Sequence, residues 1–242
     1  MLNIFNRKCN FCGSTRGFNS IEESLGNTLE SYGFPYKLKD FETLNYRQYD
    51  CKECGASDRD RLYKVFLDEH YQNSASKSIV DFAPAKALSK YLSGKFAHYR
   101  SADLFMDDVD DKVDITDMKQ YKDGTFDFFV CSHIMEHVDD AAALSELLRI
   151  LKPGGMGILM TPIIKVEGAF DEDLGVKDVS ERWRRFAQDD HVRLYTQNEF
   201  TDRIKRAGFT INKYTWRQLG FFKLLSYGID PNSVLYIVEK NS

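Results

Sequence analysis

The sequence contains no long apolar run. None of its hydrophobic stretches approaches the roughly 20 residues that a membrane-spanning helix needs. The first ten residues, MLNIFNRKCN, also lack the apolar core of a secretory signal peptide. We therefore expect a soluble, cytoplasmic protein with no membrane partner.

A surplus of positive charge is also absent. The 242 residues carry a formal net charge of −4, and the sequence pI is about 5.8. Proteins that bind nucleic acid usually neutralise phosphates with excess lysine and arginine, so this balance argues against a nucleic-acid partner. The length and the 43% hydrophobic content predict one mid-sized domain with a small appendage.

The glycine fingerprint of dinucleotide-binding proteins is missing as well. Residues 78–82 (SIVDF) predict a strand, and the turn after it reads Ala83-Pro84-Ala85-Lys86-Ala87, with no G-x-G-x-x-G. This absence counts heavily against NAD or FAD, whose pyrophosphate is usually held by those glycines. Small alanines at 83, 85 and 87 are compatible with a ligand that has no phosphate.

Cysteines are few, but four of the five form two C-x-x-C-G motifs at residues 9–13 and 51–55. Two residues between thiolates allow one ion to be held from a tight turn, and two such turns make a tetrahedral four-sulfur site that suits Zn²⁺. The alternatives are free cysteines, disulfides or a redox pair. Residues 1–56 are therefore interpreted as a zinc-ribbon-like module with a structural ion, followed by a linking helix over 57–76. Arg59 and Arg61 in that helix either reach a ligand carboxylate or form ion pairs between domains.

The stretch from Phe126 to Gly155 predicts strand, helix and strand in succession. An apolar run is followed by a polar cluster, Ser132-His133-x-x-Glu136-His137, and then by a helix that we expect Pro153-Gly154-Gly155 to end. In open α/β sheets ligands bind at the carboxyl ends of strands, where this cluster falls. A metal site or a hydrolytic centre is the alternative, but the sequence shows no third ligand in register and no nucleophile elbow.

Acidic residues follow the other predicted strands. Asp81 ends the first, Asp103 follows the second about twenty residues after the turn, and Asp114 falls at the end of a third short strand. A polar insertion over 162–195 comes next, and two final strands joined by a short connection are expected to be antiparallel.

These features together resemble the class I S-adenosylmethionine-dependent methyltransferases. The motif F-D-x-x-x-C-S-H-x-M-E-H-V, followed by a helix and L-K-P-G-G, is similar to the family's motif around its fourth strand. The N-terminal C-x-x-C-G pair and F-x-Q-x-D-H-V-R-x-Y resemble a bacterial subgroup. The resemblance covers residues 77–242 and implies an α/β, Rossmann-like sheet of seven mostly parallel strands with a terminal antiparallel pair, joined to the small zinc-binding module.

The resemblance also implies site residues. It implies that S-adenosylmethionine is bound by Asp81, Ala83, Asp103, Leu104, Asp114, Ile115, Ser132 and His133. The structural zinc ion is expected to be bound by Cys9, Cys12, Cys51 and Cys54. The insertion would bind substrate through Asp190, His191, Arg193 and Tyr195, with His191 and His133 as candidate catalytic bases.

The function that follows is methyl transfer to a small molecule, such as a sugar or polysaccharide-precursor hydroxyl or carboxylate. A zinc-ribbon RNA methyltransferase and a degenerate binding domain that has lost its cofactor are the alternatives.

Overall fold

A computed structural model describes residues 7–72 and 74–241. The helices are α1 (Glu22–Ser31), α2 (Asp58–His70), α3 (Lys86–Lys95), α4 (Asp140–Ile150), α5 (Val179–Phe186), α6 (Gln197–Arg206), α7 (Trp216–Leu219) and α8 (Phe221–Ser226). The strands are β1 (Ser78–Phe82), β2 (His98–Asp103), β3 (Asp111–Lys112), β4 (Phe126–Ser132), β5 (Leu151–Met160), β6 (Ile163–Ile164), β7 (Asp171–Glu172), β8 (Arg193–Thr196), β9 (Phe209–Tyr214) and β10 (Leu235–Lys240).

The main sheet has seven strands in the order β3-β2-β1-β4-β5-β10-β9. The first five are parallel, whereas β10 is antiparallel to both β5 and β9. The predicted sheet and its terminal antiparallel pair are confirmed. The chain order reverses between β1 and β4, which creates a crevice beyond their carboxyl ends, where open α/β sheets bind ligands.

The two central strands are buried on both faces, as parallel strands covered by helices should be. Phe128, Phe129, Val130 and Cys131 of β4 are all 1% exposed or less. The following helix α4 begins at Asp139, whose carboxylate accepts hydrogen bonds from the backbone N–H groups of Ala141 and Ala142. This cap fixes the N-terminus of α4, the helix through which the chain leaves the crevice and returns along the sheet.

The N-terminal segment packs against the polar insertion. A hydrophobic cluster joins Leu29 and Phe34 from the N-terminal segment to Ile164, Phe186 and Leu194 from the insertion. Backbone pairing extends the contact, because Phe41 bridges Ile164 and the small sheet β6-β8-β7 lies beside it. The segment between the two cysteine pairs is therefore part of the wall above the crevice.

Arg61 anchors this segment to the main domain. The side chain is fully buried, and its guanidinium donates to the carbonyls of Gln48, Tyr49, Ala56, Tyr227 and Gly228. Backbone carbonyls from both parts of the chain thus converge on one cation. Both alternatives predicted for Arg61, a ligand contact and an ion pair between domains, are therefore wrong. Its guanidinium binds backbone carbonyl oxygens instead.

Several local expectations differ from the structure. Residues 45–50, whose sequence favours a strand leading into the second C-x-x-C-G motif, form turns instead, and their backbone bonds go to Asn19 and Ile21. Helix α4 ends at Ile150, and Pro153-Gly154-Gly155 lies inside β5 at a register shift against β4. The proline tolerates this position because a bulge interrupts the ladder there.

No helix within the described residues is long and apolar enough to cross a bilayer.

Candidate active site and zinc centre

The four N-terminal cysteines converge on one point. The Sγ atoms of Cys9 and Cys54 are 3.6 Å apart, and those of Cys12 and Cys51 are 3.7 Å apart. Zinc–sulfur bonds of about 2.3 Å place tetrahedral ligands about 3.8 Å apart, so the four thiolates fit a structural zinc ion. Both following glycines, Gly13 and Gly55, have a φ of 72°, which closes each turn.

A first cavity, of about 460 Å³, lies at the crevice and is lined by most of the residues predicted to bind the cofactor. We call it the cofactor cavity. Its walls include Ala83 from the β1 turn, Asp103 and Leu104 after β2, and His133 after β4. Asp114 and Ile115 from the segment after β3 also line it, so six of the eight predicted cofactor residues meet there.

Ala83 has the backbone conformation that glycine usually provides. Its φ is +50°, and its N–H donates to the carbonyl of Ala102 on β2. A left-handed alanine costs about 1–2 kcal/mol, which the strand pairing around it offsets. The turn therefore keeps a glycine-like shape at this position although the sequence has no glycine there.

Two carboxylates in the cofactor cavity are held in place by their own loops. Asp103 Oδ1 accepts hydrogen bonds from the N–H groups of Phe105 (2.6 Å) and Met106 (2.7 Å). Asp114 Oδ1 accepts from the Thr116 hydroxyl and N–H, and these bonds lower the pKa of Asp114. Both side chains are thus oriented hydrogen-bond acceptors at the rim of the cavity.

Asp81 and Ser132 lie behind the cavity lining. Asp81 is 1% exposed and accepts a hydrogen bond from the Tyr99 hydroxyl, and burial raises its pKa to about 7. The Ser132 hydroxyl pairs with that of Tyr63 on α2 at 2.7 Å. These contacts support the turns that line the cavity.

A second cavity, of about 360 Å³, adjoins the first and shares His133 and His137 with it. We call it the acceptor cavity. Ile21, Leu25 and Leu29, spaced four residues apart, form an apolar wall, and Arg59, Glu136 and His191 add polar groups. The sequence contained that four-residue spacing, but nothing in it indicated that α1 would face the site.

A cluster of one carboxylate and three imidazoles lies where the cavities meet. Glu136 is 1% exposed; its Oε2 accepts from the Thr161 hydroxyl, and its Oε1 lies 3.4 Å from His133 Nδ1. Burial, with the nearby Arg59 charge, keeps the pKa of His133 well below its ordinary value, and burial also lowers the pKa of His191. Both rings are therefore neutral near pH 7.

The four residues predicted to bind substrate divide into two pairs. Asp190 lines the cofactor cavity and His191 the acceptor cavity. Arg193 and Tyr195 are not among the described residues that line either cavity, and both are at most 2% exposed. Arg193 donates to the carbonyls of Met135 and Val138, so it positions the loop that carries Glu136 and His137.

Backbone strain is concentrated at these cavities. Within the described residues, the non-glycine residues with positive φ are Ala83, His133 and Ala187, and each of them lines one or both cavities. Strained positions persist where surrounding structure over-determines them, and they cluster at functional sites. The strain thus marks the same region as the polar cluster.

Residues missed by sequence reasoning belong mainly to the N-terminal segment and to helix α5. Arg182 on α5 lines the cofactor cavity and is held by the carbonyls of Val176 and Asp189. Phe105, 85% exposed, lies beside Leu104 at the rim. A clue for Phe105 was present, since an aromatic residue directly follows the predicted ribose-binding segment.

The seven-stranded order, the crevice and the paired cavities define an α/β protein of the Rossmann-like methyltransferase class. A family model described as "Methyltransferase domain" matches residues 54–214, which is more than half of the chain. The chain belongs to this methyltransferase family, and the resemblance to class I S-adenosylmethionine-dependent methyltransferases is confirmed.

Solved structures agree with this fold. One is the 1,6-didemethyltoxoflavin-N1-methyltransferase of Burkholderia thailandensis with bound S-adenosylhomocysteine; it has 12% identity, a TM-score of 0.51, and coverage of 74% of this chain and 77% of that one. Another is an S-adenosylmethionine-dependent methyltransferase from Mesorhizobium loti, with 15% identity, a TM-score of 0.50, and coverage of 75% and 98%. None of the curated proteins compared with the chain matches it.

Proposed function

We propose that this protein transfers the methyl group of S-adenosylmethionine to an oxygen of a small molecule, a hydroxyl or carboxylate such as a sugar or polysaccharide precursor carries. The observation that carries the proposal is the meeting of two cavities at His133 and His137. Methyl transfer requires donor and acceptor to be aligned across a short gap with water excluded, and adjoining cavities supply that alignment.

On the cofactor side, contacts and cavity lining support the role proposed for each residue. Asp103 is held through Oδ1 by two N–H groups, which leaves Oδ2 as the oxygen we assign to the ribose hydroxyls. Asp114 would accept from the adenine amino group, with Leu104 and Ile115 beside the ring. The Ala83 turn and His133 would flank the methionine end. Asp81 and Ser132 support these turns from behind.

On the acceptor side, size and lining favour a small molecule over a polymer. The cavity of about 360 Å³ is at the lower end of the range for small-molecule sites. Helix α1 closes it with an apolar wall, while Arg59 offers a cation to an acceptor carboxylate and His191 faces the same space. Arg59 also donates to the Tyr49 hydroxyl, which holds its guanidinium at the cavity wall.

Bound S-adenosylmethionine would supply an electrophilic methyl group, so the chain itself needs to orient the acceptor and remove a proton from it. His133 is placed for proton removal, because its ring lines both cavities and Nδ1 faces Glu136 Oε1 at 3.4 Å. With Nδ1 on the side of that carboxylate, Nε2 is the ring nitrogen that would accept the proton. His191, the other candidate base, is also within reach of Glu136 Oε1, at 3.8 Å.

The test separates cofactor binding from methyl transfer. Calorimetric titration should show S-adenosylmethionine binding that Asp103→Ala weakens at least tenfold. A radiolabelled-methyl assay against sugars, nucleotide sugars and hydroxy acids should then identify an acceptor.

Leu25→Trp, which fills the acceptor cavity, should abolish transfer with cofactor affinity unchanged. Leu174→Trp is the matched control, because Leu174 is 58% exposed. Absence of S-adenosylmethionine binding by the wild-type protein would refute the proposal.

A further inference from the structure

Three potential metal ligands converge in the acceptor cavity. Glu136 Oε1 lies 3.9 Å from His137 Nε2 and 3.8 Å from His191 Nε2. Ligand atoms of the three residues all lie within 4.8 Å of one another, and all three residues line the cavity. The sequence placed only Glu136 and His137 together; the insertion supplies the third group, since Val192 N–H donates to the carbonyl of Glu136.

The outer contacts of these side chains direct their lone pairs inward. His191 Nδ1 lies 3.0 Å from the carbonyl of Phe186, which can only accept, so Nδ1 carries the proton. His137 Nδ1 likewise faces Asp190 Oδ2 at 3.2 Å. In both rings the nitrogen on the other side, Nε2, faces Glu136. Such carbonyl and carboxylate partners are typical of the shell that orients metal-binding histidines.

The remaining oxygen of Glu136 is the group without a partner. Oε2 accepts from Thr161, but Oε1 is buried with no hydrogen-bond partner among the described residues. Its nearest imidazole nitrogen, His133 Nδ1, is 3.4 Å away. A buried oxygen that faces two nitrogen lone pairs is costly unless a proton or a cation lies between them.

We propose that Glu136, His137 and His191 bind a divalent transition-metal cation, separate from the zinc of the four cysteines. Two imidazoles and one carboxylate are a donor set of catalytic zinc and of non-haem iron sites, and they leave coordination positions open. Bonds of about 2.1 Å would place tetrahedral ligands about 3.4 Å apart, so each imidazole Nε2 would need to move about half an ångström closer to Glu136 Oε1.

The open positions would face the acceptor. An oxygen of the acceptor could bind the ion there, while Arg59 on the same cavity takes an adjacent anionic group. This consequence rests on the proposed function, whereas metal binding itself does not. His191 then acts as a ligand, and proton removal remains with His133.

Manganese binding to the full-length protein tests the site, because Mn²⁺ prefers nitrogen and oxygen donors over the four thiolates. With the cysteine site zinc-loaded, titration followed by electron paramagnetic resonance should show about one bound Mn²⁺ per chain, with imidazole nitrogen coupling in pulsed spectra. Glu136→Gln, which keeps the side-chain shape, and His191→Ala should each weaken binding at least tenfold. His98→Ala, at an exposed histidine on β2, should leave it unchanged.

Cofactor affinity measured on the same samples separates the possible failures. Wild-type protein that binds S-adenosylmethionine but no Mn²⁺ overturns the metal site alone, and would mean that a proton bridges Glu136 and an imidazole. Mn²⁺ binding that Glu136→Gln and His191→Ala leave unchanged also overturns it. Mn²⁺ binding with the expected variant pattern but without cofactor binding supports the site and refutes the proposed methyl transfer.

Discussion

Replacing Asp81 with asparagine should change how stability depends on pH. Asp81 ends β1 beneath the cofactor cavity and is 1% exposed. Burial raises its pKa from 3.8 to about 7; the Tyr99 hydrogen bond opposes this shift, and the charge of Asp60 adds to it. Asparagine has the same shape, can accept from Tyr99 and does not ionise, so the variant isolates the charge.

The direction in which stability changes with pH follows from proton linkage. The folded protein holds the proton more tightly than the unfolded chain, so the contribution of Asp81 to stability is complete below about pH 4. It declines as the pH rises toward 7 and is constant above that. A shift of about three units corresponds to roughly 4 kcal/mol in total, of which about 2–3 kcal/mol falls between pH 5 and pH 8.

Urea unfolding of zinc-saturated, cofactor-free protein at pH 5 and pH 8 measures the effect. The free energy of unfolding of Asp81→Asn should rise relative to wild type by about 2–3 kcal/mol between these two pH values. Tyr99→Phe removes the bond that opposes the shift and should move the decline to higher pH. Parallel profiles for wild type and Asp81→Asn, within about 0.5 kcal/mol, would show that Asp81 titrates normally and refute the reasoning.

Three further predictions concern the scaffold. Arg61→Met should cost about 3 kcal/mol or more in urea unfolding because buried carbonyls lose their donor. Arg47→Met, at an exposed ion pair, should leave the unfolding curve almost unchanged. Cys51→Ser should lower Tm by more than about 10 °C in a thermal scan and abolish methyl transfer, with calorimetric S-adenosylmethionine affinity retained. The reason is that described residues of the module line the acceptor cavity and none of them lines the cofactor cavity; equal loss of transfer and cofactor affinity would contradict this division. Ala83→Gly should change the free energy of unfolding by less than about 1 kcal/mol, while Ala83→Val should lower it by about 2 kcal/mol. Equal stability of the two variants would argue against a left-handed turn at this position.

Local chemistry explains which parts of the site the sequence could predict. Each C-x-x-C-G motif folds within one turn, so the zinc ligands follow from residues a few positions apart. The acids after β1, β2 and β3 were predictable because strand ends in a parallel sheet share one edge. The end of helix α4 was misjudged because Pro153 and Gly154 also suit a bulge, and pairing of β5 with β4 decided between the two.

Local sequence patterns could not predict how side chains from distant segments are placed relative to one another. The alternation of Arg193 and Tyr195 suggested a substrate-facing surface, yet the fold buries both against the loop that carries Glu136. Arg59 and Arg61 lie two residues apart on α2, but one faces the acceptor cavity and the other binds buried carbonyls. Helix phase and neighbouring segments determine which of the two is free to meet a ligand.

Sequence patterns predicted the methyltransferase sheet, the two C-x-x-C-G zinc motifs and the acids at the rim of the cofactor cavity, because each depends on short-range turns and on the periodicity of buried strands. Tertiary packing, which those patterns do not contain, places α1 along the acceptor cavity and brings His191 to Glu136 and His137. Those contacts join segments tens of residues apart, and the packing of the insertion against the N-terminal segment brings them together.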